Sequence, residues 1–271
     1  MTTTEPQMMV NDTGLAGKVV IVTGGGAFDD GISNGRGASI LCARAGAKVV
    51  VVGRSVGPAQ KTVDMIKAEG GEACVITGDV AREADCKSII EQTVAKYGRV
   101  DGLDNNVGES SPGTVVTMDM DKYREYMAMN VESQILMSRY AIPAMVETAG
   151  GGAIVNISSV SALRPKGNAL IYSITKGANI SLTHAMAVDH AKDNVRVNCV
   201  IIGPVYTPTV YERGMTEERR KQRASASLLK IEGTGWDTGQ MVRFLLSDQA
   251  RFVTGQAIVV DGGVTLIGPE R

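Results

Sequence analysis

Val19-Val20-Ile21-Val22-Thr23-Gly24-Gly25-Gly26 sets an uninterrupted β-branched run directly against three glycines. The run has no polar alternation, so it reads as a strand buried on both faces, the pattern of a parallel sheet. Gly35 and Gly37 then open a stretch, 35–45, with apolar residues at three- and four-residue spacing, which reads as a helix. Strand, glycine turn and helix in that order place backbone amides at a helix N-terminus, where they can face a pyrophosphate. Glycine turns also occur wherever positive φ is needed, so the position directly after the first strand is what gives this one weight.

Working outward, further apolar runs at 49–52, 74–77, 102–104, 153–157, 196–201 and 257–260 alternate with helical periodicity at 59–69, 83–97, 123–148 and 173–189. That alternation predicts right-handed βαβ crossovers and an α/β, doubly wound Rossmann fold. Its central parallel sheet would open a ligand cleft at the carboxyl ends of its strands. Residues 15–271 read as a single dinucleotide-binding catalytic domain. The irregular stretch 203–238, punctuated by Pro204, Pro208, Gly214, Gly233 and Gly235 around a helix-capable segment at 216–229, reads as a substrate-covering insertion. The first seventeen residues carry neither a basic segment nor a long apolar one, and residues 1–14 are expected to form a flexible N-terminus.

A chain of 271 residues, 44% hydrophobic and 21% charged, can bury one large core without staples. Its net charge of -1 and the absence of long like-charge runs argue against a nucleic-acid footprint or a basic membrane-binding face. No stretch approaches the roughly 18 apolar residues of a membrane span, and a cytoplasmic protein with a small neutral partner is expected. Cys42, Cys74, Cys86 and Cys199 form no CxxC pair, and His184 and His190 are the only histidines, so buried reduced thiols are expected and no metal. The histidines, six residues apart on different helix faces, read as packing or surface residues.

Tyr172-Ser173-Ile174-Thr175-Lys176 lies in a predicted helix, where residues four apart share a face and bring an ammonium near a phenol. A free tyrosine, with a pKa near 10, is a poor base at neutral pH, and a nearby cation lowers that pKa. After the second strand comes Val52-Gly53-Arg54-Ser55, where an acid would receive ribose hydroxyls and a basic residue would accommodate a 2′-phosphate. Arg54 therefore points to NADP, with NAD as the other cofactor. A solvated arginine at a strand end is the structural alternative.

Taken together, these segments resemble the short-chain dehydrogenase/reductase family, over about residues 15–264. The family's Thr-Gly-x-x-x-Gly-x-Gly turn is stretched here. Gly24 and Gly26 begin it and Gly35 aligns with the third glycine, so Ala27-Phe28-Asp29-Asp30-Gly31-Ile32-Ser33-Asn34 contains an insertion. Either Ser33 or Gly31-Ile32 fills the second glycine's slot. Asp29 and Asp30 would repel a pyrophosphate if they pointed inward, so they are expected to face solvent.

The resemblance implies an oxidoreductase interconverting a small alcohol and a carbonyl. Tyr172 would exchange the proton, Ser159 would steady the reacting oxygen, Lys176 would bind the nicotinamide ribose, and Asn130 would hold a water in a proton relay. Ser159 is preferred to Ser158 because it stands thirteen residues before Tyr172, the family spacing. The resemblance also assigns Asp79 and Val80 to the adenine, though Asp79 is equally suited to cap a helix. It places Asn106, Val107 and Gly108 of Asn105-Asn106-Val107-Gly108 along the cleft, and Gly203, Val205 and Thr207 at the nicotinamide carboxamide. Arg164, Asn168, Val107, Glu109, Tyr206 and Trp236 are candidate substrate-pocket residues, and a homotetramer is the family expectation. Two other functions share these features. A non-catalytic dinucleotide-binding regulatory protein would break the catalytic set, and a sugar-nucleotide epimerase or dehydratase would carry a larger C-terminal substrate portion.

Overall fold

The computed structural model describes residues 14–212 and 214–266. The expectation of a flexible segment at 1–14 thus falls outside the described residues except for Gly14, whose carbonyl accepts from the Asp248 amide at 3.2 Å.

The described chain runs β1 (Val19–Thr23), α1 (Asn34–Arg44), β2 (Lys48–Gly53), α2 (Val56–Ala68), β3 (Glu72–Thr77), α3 (Glu83–Tyr97), β4 (Gly102–Asn105), α4 (Met120–Met127) and α5 (Ser133–Ala149). It continues with β5 (Gly152–Ser159), α6 (Leu170–His190), β6 (Val195–Ile202), β7 (Val205–Tyr206), α7 (Pro208–Tyr211), α8 (Glu217–Ser225), β8 (Gly233–Thr234), α9 (Gly235–Leu246) and β9 (Ala257–Val260). Seven strands form one sheet in the order β3-β2-β1-β4-β5-β6-β9, every neighbouring pair parallel. This is the doubly wound Rossmann sheet, and its order reverses between β1 and β4. Loops leaving those two strands diverge and open a crevice at their carboxyl ends.

The apolar runs sit where their composition requires. All five residues of β1 are buried, and side chains alternate between two cores. One core joins Val20 and Val22 to α1, α2 and α9; the other joins Val19 and Ile21 to α3, α5 and α6. Full burial of a side chain such as Ile21, Leu103 or Ile154 contributes roughly 1.5–3 kcal/mol. Helices α1 and α9 cross almost backbone to backbone: a Cβ on Gly37 would overlap the Gly235 carbonyl, and one on Gly239 would lie 2.7 Å from Gly37.

Several sequence expectations change. The single helix predicted over 123–148 is interrupted, because Ala128–Glu132 forms a π-helical turn between α4 and α5. The helix-capable segment at 216–229 is helical only over Glu217–Ser225, with the Thr216 side chain capping its start. Its arginines turn back to Glu232: Arg220 Nε lies 3.1 Å from the carboxylate, and Arg223 bonds its other oxygen. The two-residue strands β7 and β8, paired in parallel within 203–238, have too little length to show a period in the sequence.

Candidate active site

The first strand delivers the chain to Gly24, whose φ of 65° lies in the left-handed region that glycine alone adopts freely. Helix α1 packs beneath it so tightly that a Cβ on Gly35 would overlap the Gly24 carbonyl and lie 2.6 Å from Asn106 Nδ2. Ser33 caps α1, accepting from the Arg36 amide at 3.2 Å and donating to the Gly26 carbonyl at 3.1 Å. The helix therefore begins after the insertion, and Asn34 Oδ1 beside it is buried without a hydrogen-bond partner. A bare-backbone cradle at a helix N-terminus, with no room for a Cβ at Gly35, suits the pyrophosphate of a dinucleotide.

The insertion is not the solvated bulge expected from the sequence. Arg36, fully buried, donates to the carbonyls of Asp29 and Gly31 at 2.6 Å each, to that of Ala27 at 3.1 Å, and to Thr62 Oγ1 at 2.9 Å. Asp30 does face solvent, beside Lys61 at 3.2 Å. Asp29 does not: one oxygen accepts from the Gly31 amide at 2.9 Å and the other from the Tyr211 hydroxyl.

Beyond the switch point, β4 ends in the Asn105–Gly108 segment. Thr23 Oγ1 donates to the Asp104 carbonyl at 3.1 Å and accepts from the Asn106 amide at 3.0 Å, tying the two diverging strands together. Val107 packs on Gly24, and Gly108 sits against Lys176. Asn130, fully buried in the π turn, clasps the next residue: its Oδ1 accepts from the Glu109 amide at 2.9 Å, and its Nδ2 donates to the Glu109 carbonyl at 2.8 Å and to Thr175 Oγ1 at 3.0 Å. π turns occur frequently at functional sites. This one aims the Asn130 amide at the backbone of the cleft.

Strand β5 ends at Ser158 and Ser159, whose side chains alternate. Ser158 Oγ donates to the Lys176 carbonyl at 2.7 Å, while Ser159 Oγ accepts from the Ser161 amide at 3.2 Å. On α6, Lys176 lies one turn below Tyr172, with Nζ 5.7 Å from the centre of the phenol ring. The ammonium is buried and donates to the Ile157 carbonyl at 3.0 Å. Burial pulls its pKa down to about 8, because a low-dielectric surrounding disfavours the charged form.

The structure thus gathers Gly24, Gly35, Asn106, Val107, Gly108, Asn130, Ser159, Tyr172 and Lys176 around the carboxyl ends of β1, β4 and β5. Gly203 leaves β6 so close to Asp261 that a Cβ would lie 2.4 Å from that side chain, Val205 accepts from Arg223 through its carbonyl at 2.8 Å, and Thr207 is buried just before α7. Arg54 and Asp79 stand apart beyond β2 and β3. With Thr77, Gly78, Arg82 and Asp85 they line a depression of about 370 Å³, with Val80 buried behind. Asp79 caps no helix: its Oδ1 accepts from the Ala81 amide at 3.0 Å, in the turn preceding α3. Two expected pocket residues turn elsewhere. Trp236 packs against the α1 side of the core beneath Arg44, 5.1 Å from ring centre to guanidinium, and Arg164 donates to the Val264 carbonyl at 2.6 Å.

Three residues that shape the site were not singled out from the sequence. Thr175 shares the Asn130 amide, Arg36 fixes the insertion, and Tyr211 meets Asp29. A basic residue between two helix glycines, Gly35-Arg36-Gly37, was the one local signal for any of them. His184 is exposed, and His190 pairs with Asp193 at 2.9 Å. Among the described residues, no three His, Cys, Asp or Glu side chains are grouped to hold a metal ion.

A family described as enoyl-(acyl carrier protein) reductase matches residues 26–265. The chain is 33% identical to a 7alpha-hydroxysteroid dehydrogenase of Bacteroides fragilis, across 93% of this chain and 96% of that one. It is 35% identical to 2-(S)-hydroxypropyl-CoM dehydrogenase 3 of Xanthobacter autotrophicus, across 93% and 98%. A crystal structure of a short-chain dehydrogenase/reductase from Burkholderia xenovorans superposes with a TM-score of 0.90 at 37% identity, covering 94% of this chain and 98% of that one.

Proposed function

The chain belongs to the short-chain dehydrogenase/reductase family and is an NAD(P)-dependent oxidoreductase of alcohols and ketones, and from that premise we propose that Tyr172 is its proton donor and acceptor. The observation that carries this reading is the buried Lys176 ammonium one turn below the phenol, 5.7 Å from its ring. A cation held out of water beside a phenol stabilises the tyrosinate, so Tyr172 can take a proton from an alcohol and return it to a carbonyl oxygen. Ser159, at the end of β5, has a hydroxyl to donate to that oxygen as charge develops. Asn130 fixes the Glu109 backbone through both amide atoms and leans on Thr175, one residue from Lys176, which suits it to order a proton path behind the ammonium.

The glycine cradle fits a dinucleotide, with Gly24, Gly26 and Gly35 at its pyrophosphate and Asn106, Val107 and Gly108 along its middle. Lys176 and Tyr172 would meet the nicotinamide ribose, and Gly203, Val205 and Thr207 the carboxamide. Bound there, the nicotinamide ring supplies the hydride acceptor or donor. At the far end, Asp79 and Val80 suit the adenine. Arg54, exposed at the depression after β2, suits a 2′-phosphate and supports NADP as the preferred cofactor.

The substrate is a small alcohol or carbonyl compound, bounded by Glu109, Asn168 and Tyr206. The four free cysteines support a reducing, cytoplasmic setting. The exposed Ile135 and Val146 on α5, Ile174 and Val188 on α6, and Phe252 support assembly into a homotetramer. The test is Tyr172→Phe, assayed on a panel of alcohols and ketones by nicotinamide absorbance with both cofactors. The variant is expected to bind cofactor like the parent and to lose at least about a hundredfold in turnover. Turnover near the parental rate removes Tyr172 from this role.

A further inference from the structure

The insertion at 27–33 and the segment after β6 leave the sheet at strands β1 and β6, with β4 and β5 between them. Three strand spacings amount to about 14 Å, yet the two segments touch. The Tyr211 hydroxyl donates to Asp29, whose other oxygen receives the Gly31 amide, and a Cβ on Gly31 would overlap that same hydroxyl. The Tyr211 ring stands edge-on to Phe28 with centroids 6.4 Å apart, and lies 5.2 Å from Tyr206.

Both ends of this contact are anchored. Arg36 holds the insertion through three carbonyls, and Asp29's own carbonyl is one of them. On the other side, the Arg220 guanidinium lies 3.8 Å over the Tyr206 ring while its Nε bonds Glu232. The bond to Tyr211 holds the Asp29 carboxyl below the usual carboxylate range and pushes the phenol up to about 12, so at neutral pH it joins a carboxylate to a neutral hydroxyl. Such charge-assisted bonds are the stronger class. In the chain, the insertion follows the Gly24 turn directly and Thr207 stands four residues before Tyr211, so the contact joins the segments that carry these two expected cofactor residues.

We propose that Asp29 and Tyr211 form a bridge across the cofactor cleft, joining the insertion to the segment after β6 so that a bound nicotinamide dinucleotide leaves only when the bridge opens. Both are positioning residues: neither is placed at the reacting atoms. The inference rests on the assignment of this cleft to the cofactor. Tyr211→Phe keeps the ring between Phe28 and Tyr206 and removes only the hydroxyl. Asp29→Asn keeps an oxygen for the Gly31 amide and removes the charge.

The experiment is stopped-flow displacement of NADH and NADPH from the parent and both variants, followed by nicotinamide fluorescence, with single-turnover reduction of one carbonyl substrate measured alongside. Tyr211→Phe is expected to release cofactor about tenfold faster, the effect of one such hydrogen bond on an equilibrium, and Asp29→Asn, which exchanges the charge-assisted bond for a neutral one, to release it faster than the parent by a smaller factor. In each variant the cofactor KM should rise accordingly and the single-turnover rate stay within about twofold. The double variant is expected to match Tyr211→Phe, because the change at Asp29 acts only through a bond that Tyr211→Phe has already removed. Release at the parental rate in both singles, a fall in single-turnover rate with unchanged release, or multiplied effects in the double variant overturns the bridge. A parent that binds neither cofactor overturns the cleft assignment along with it.

Discussion

The Lys176 ammonium lies against Gly108 so closely that a Cβ on that glycine would come within 2.8 Å of Nζ and 3.4 Å of Asn130 Oδ1. Lys176 cannot simply swing aside, since it is buried and its ammonium is bonded to the Ile157 carbonyl. The space occupied by hydrogen at Gly108 therefore sets where the cation sits relative to Tyr172. Gly108→Ala is expected to lower kcat at least about tenfold while shifting unfolding free energy by no more than about 1 kcal/mol, because misplacing a catalytic group costs far more in rate than in stability. Steady-state kinetics beside urea unfolding checks this; unchanged kcat would show that the ammonium position is not critical.

Lys176 also predicts a pH dependence. Burial lowers its pKa to about 8, so the cation beside Tyr172 is lost as pH rises through that value. kcat/KM for the reduced cofactor, which reports groups of the free enzyme, is expected to fall by about tenfold per pH unit above about 8. Lys176→Arg keeps a charge throughout this range and should remove that descending limb whatever its absolute rate. The stability sign is opposite: below pH 8 the folded state bears the full cost of a buried ammonium, and that cost is relieved between about 8 and the ordinary lysine value near 10.4. A descending limb at the same pH in the Arg variant would assign it to another group.

Arg54 bears on cofactor choice. It stands exposed at the depression it shares with Asp79 and Arg82. A guanidinium there can hold a 2′-phosphate but adds little for a cofactor that lacks one. Arg54→Ala is expected to cut kcat/KM for NADP(H) by about ten- to a hundredfold, as for a hydrogen bond to a charged group of about 1.5–3 kcal/mol, and to leave NAD(H) within about twofold. Equal losses with both cofactors, or none, would end the NADP assignment.

The sheet and the juxtaposition of Tyr172 with Lys176 were legible because each rests on a local regularity. Five β-branched residues before Gly24 specify a buried strand, and Tyr172 and Lys176 share a helix face at any helix's pitch. What was not legible depends on pairs distant in the chain. Asp29 and Tyr211 are 182 residues apart, and nothing near either marks the other. Repulsion from a pyrophosphate suggested that Asp29 faces water, yet the Gly31 amide and the Tyr211 phenol satisfy it in a half-buried position. The π turn at Asn130 was hidden for another reason. An extra residue in a helix leaves the apolar period of its flanks nearly intact, so 123–148 read as continuous.

Asp104 tests the sheet itself. It sits in the middle of β4, fully buried on the face that packs against α1 and α9, and neither carboxyl oxygen has a hydrogen-bond partner. Burial pushes its pKa well above the ordinary carboxylate range, and the Cys42 thiol of α1 is its titratable neighbour. Because the folded state holds a proton that the unfolded chain releases above about pH 4, this group makes stability fall as pH rises from that value. Asp104→Val replaces an unpaired buried acid with a side chain suited to a two-faced strand. It is expected to raise unfolding free energy by roughly 1–3 kcal/mol at pH 8, and by less at pH 4.5, where the unfolded reference has regained part of its protons. Urea unfolding of both proteins at the two pH values decides the matter. A variant less stable than the parent at pH 8, or a gain that does not grow with pH, would mean that Asp104 has a partner the sheet depends on.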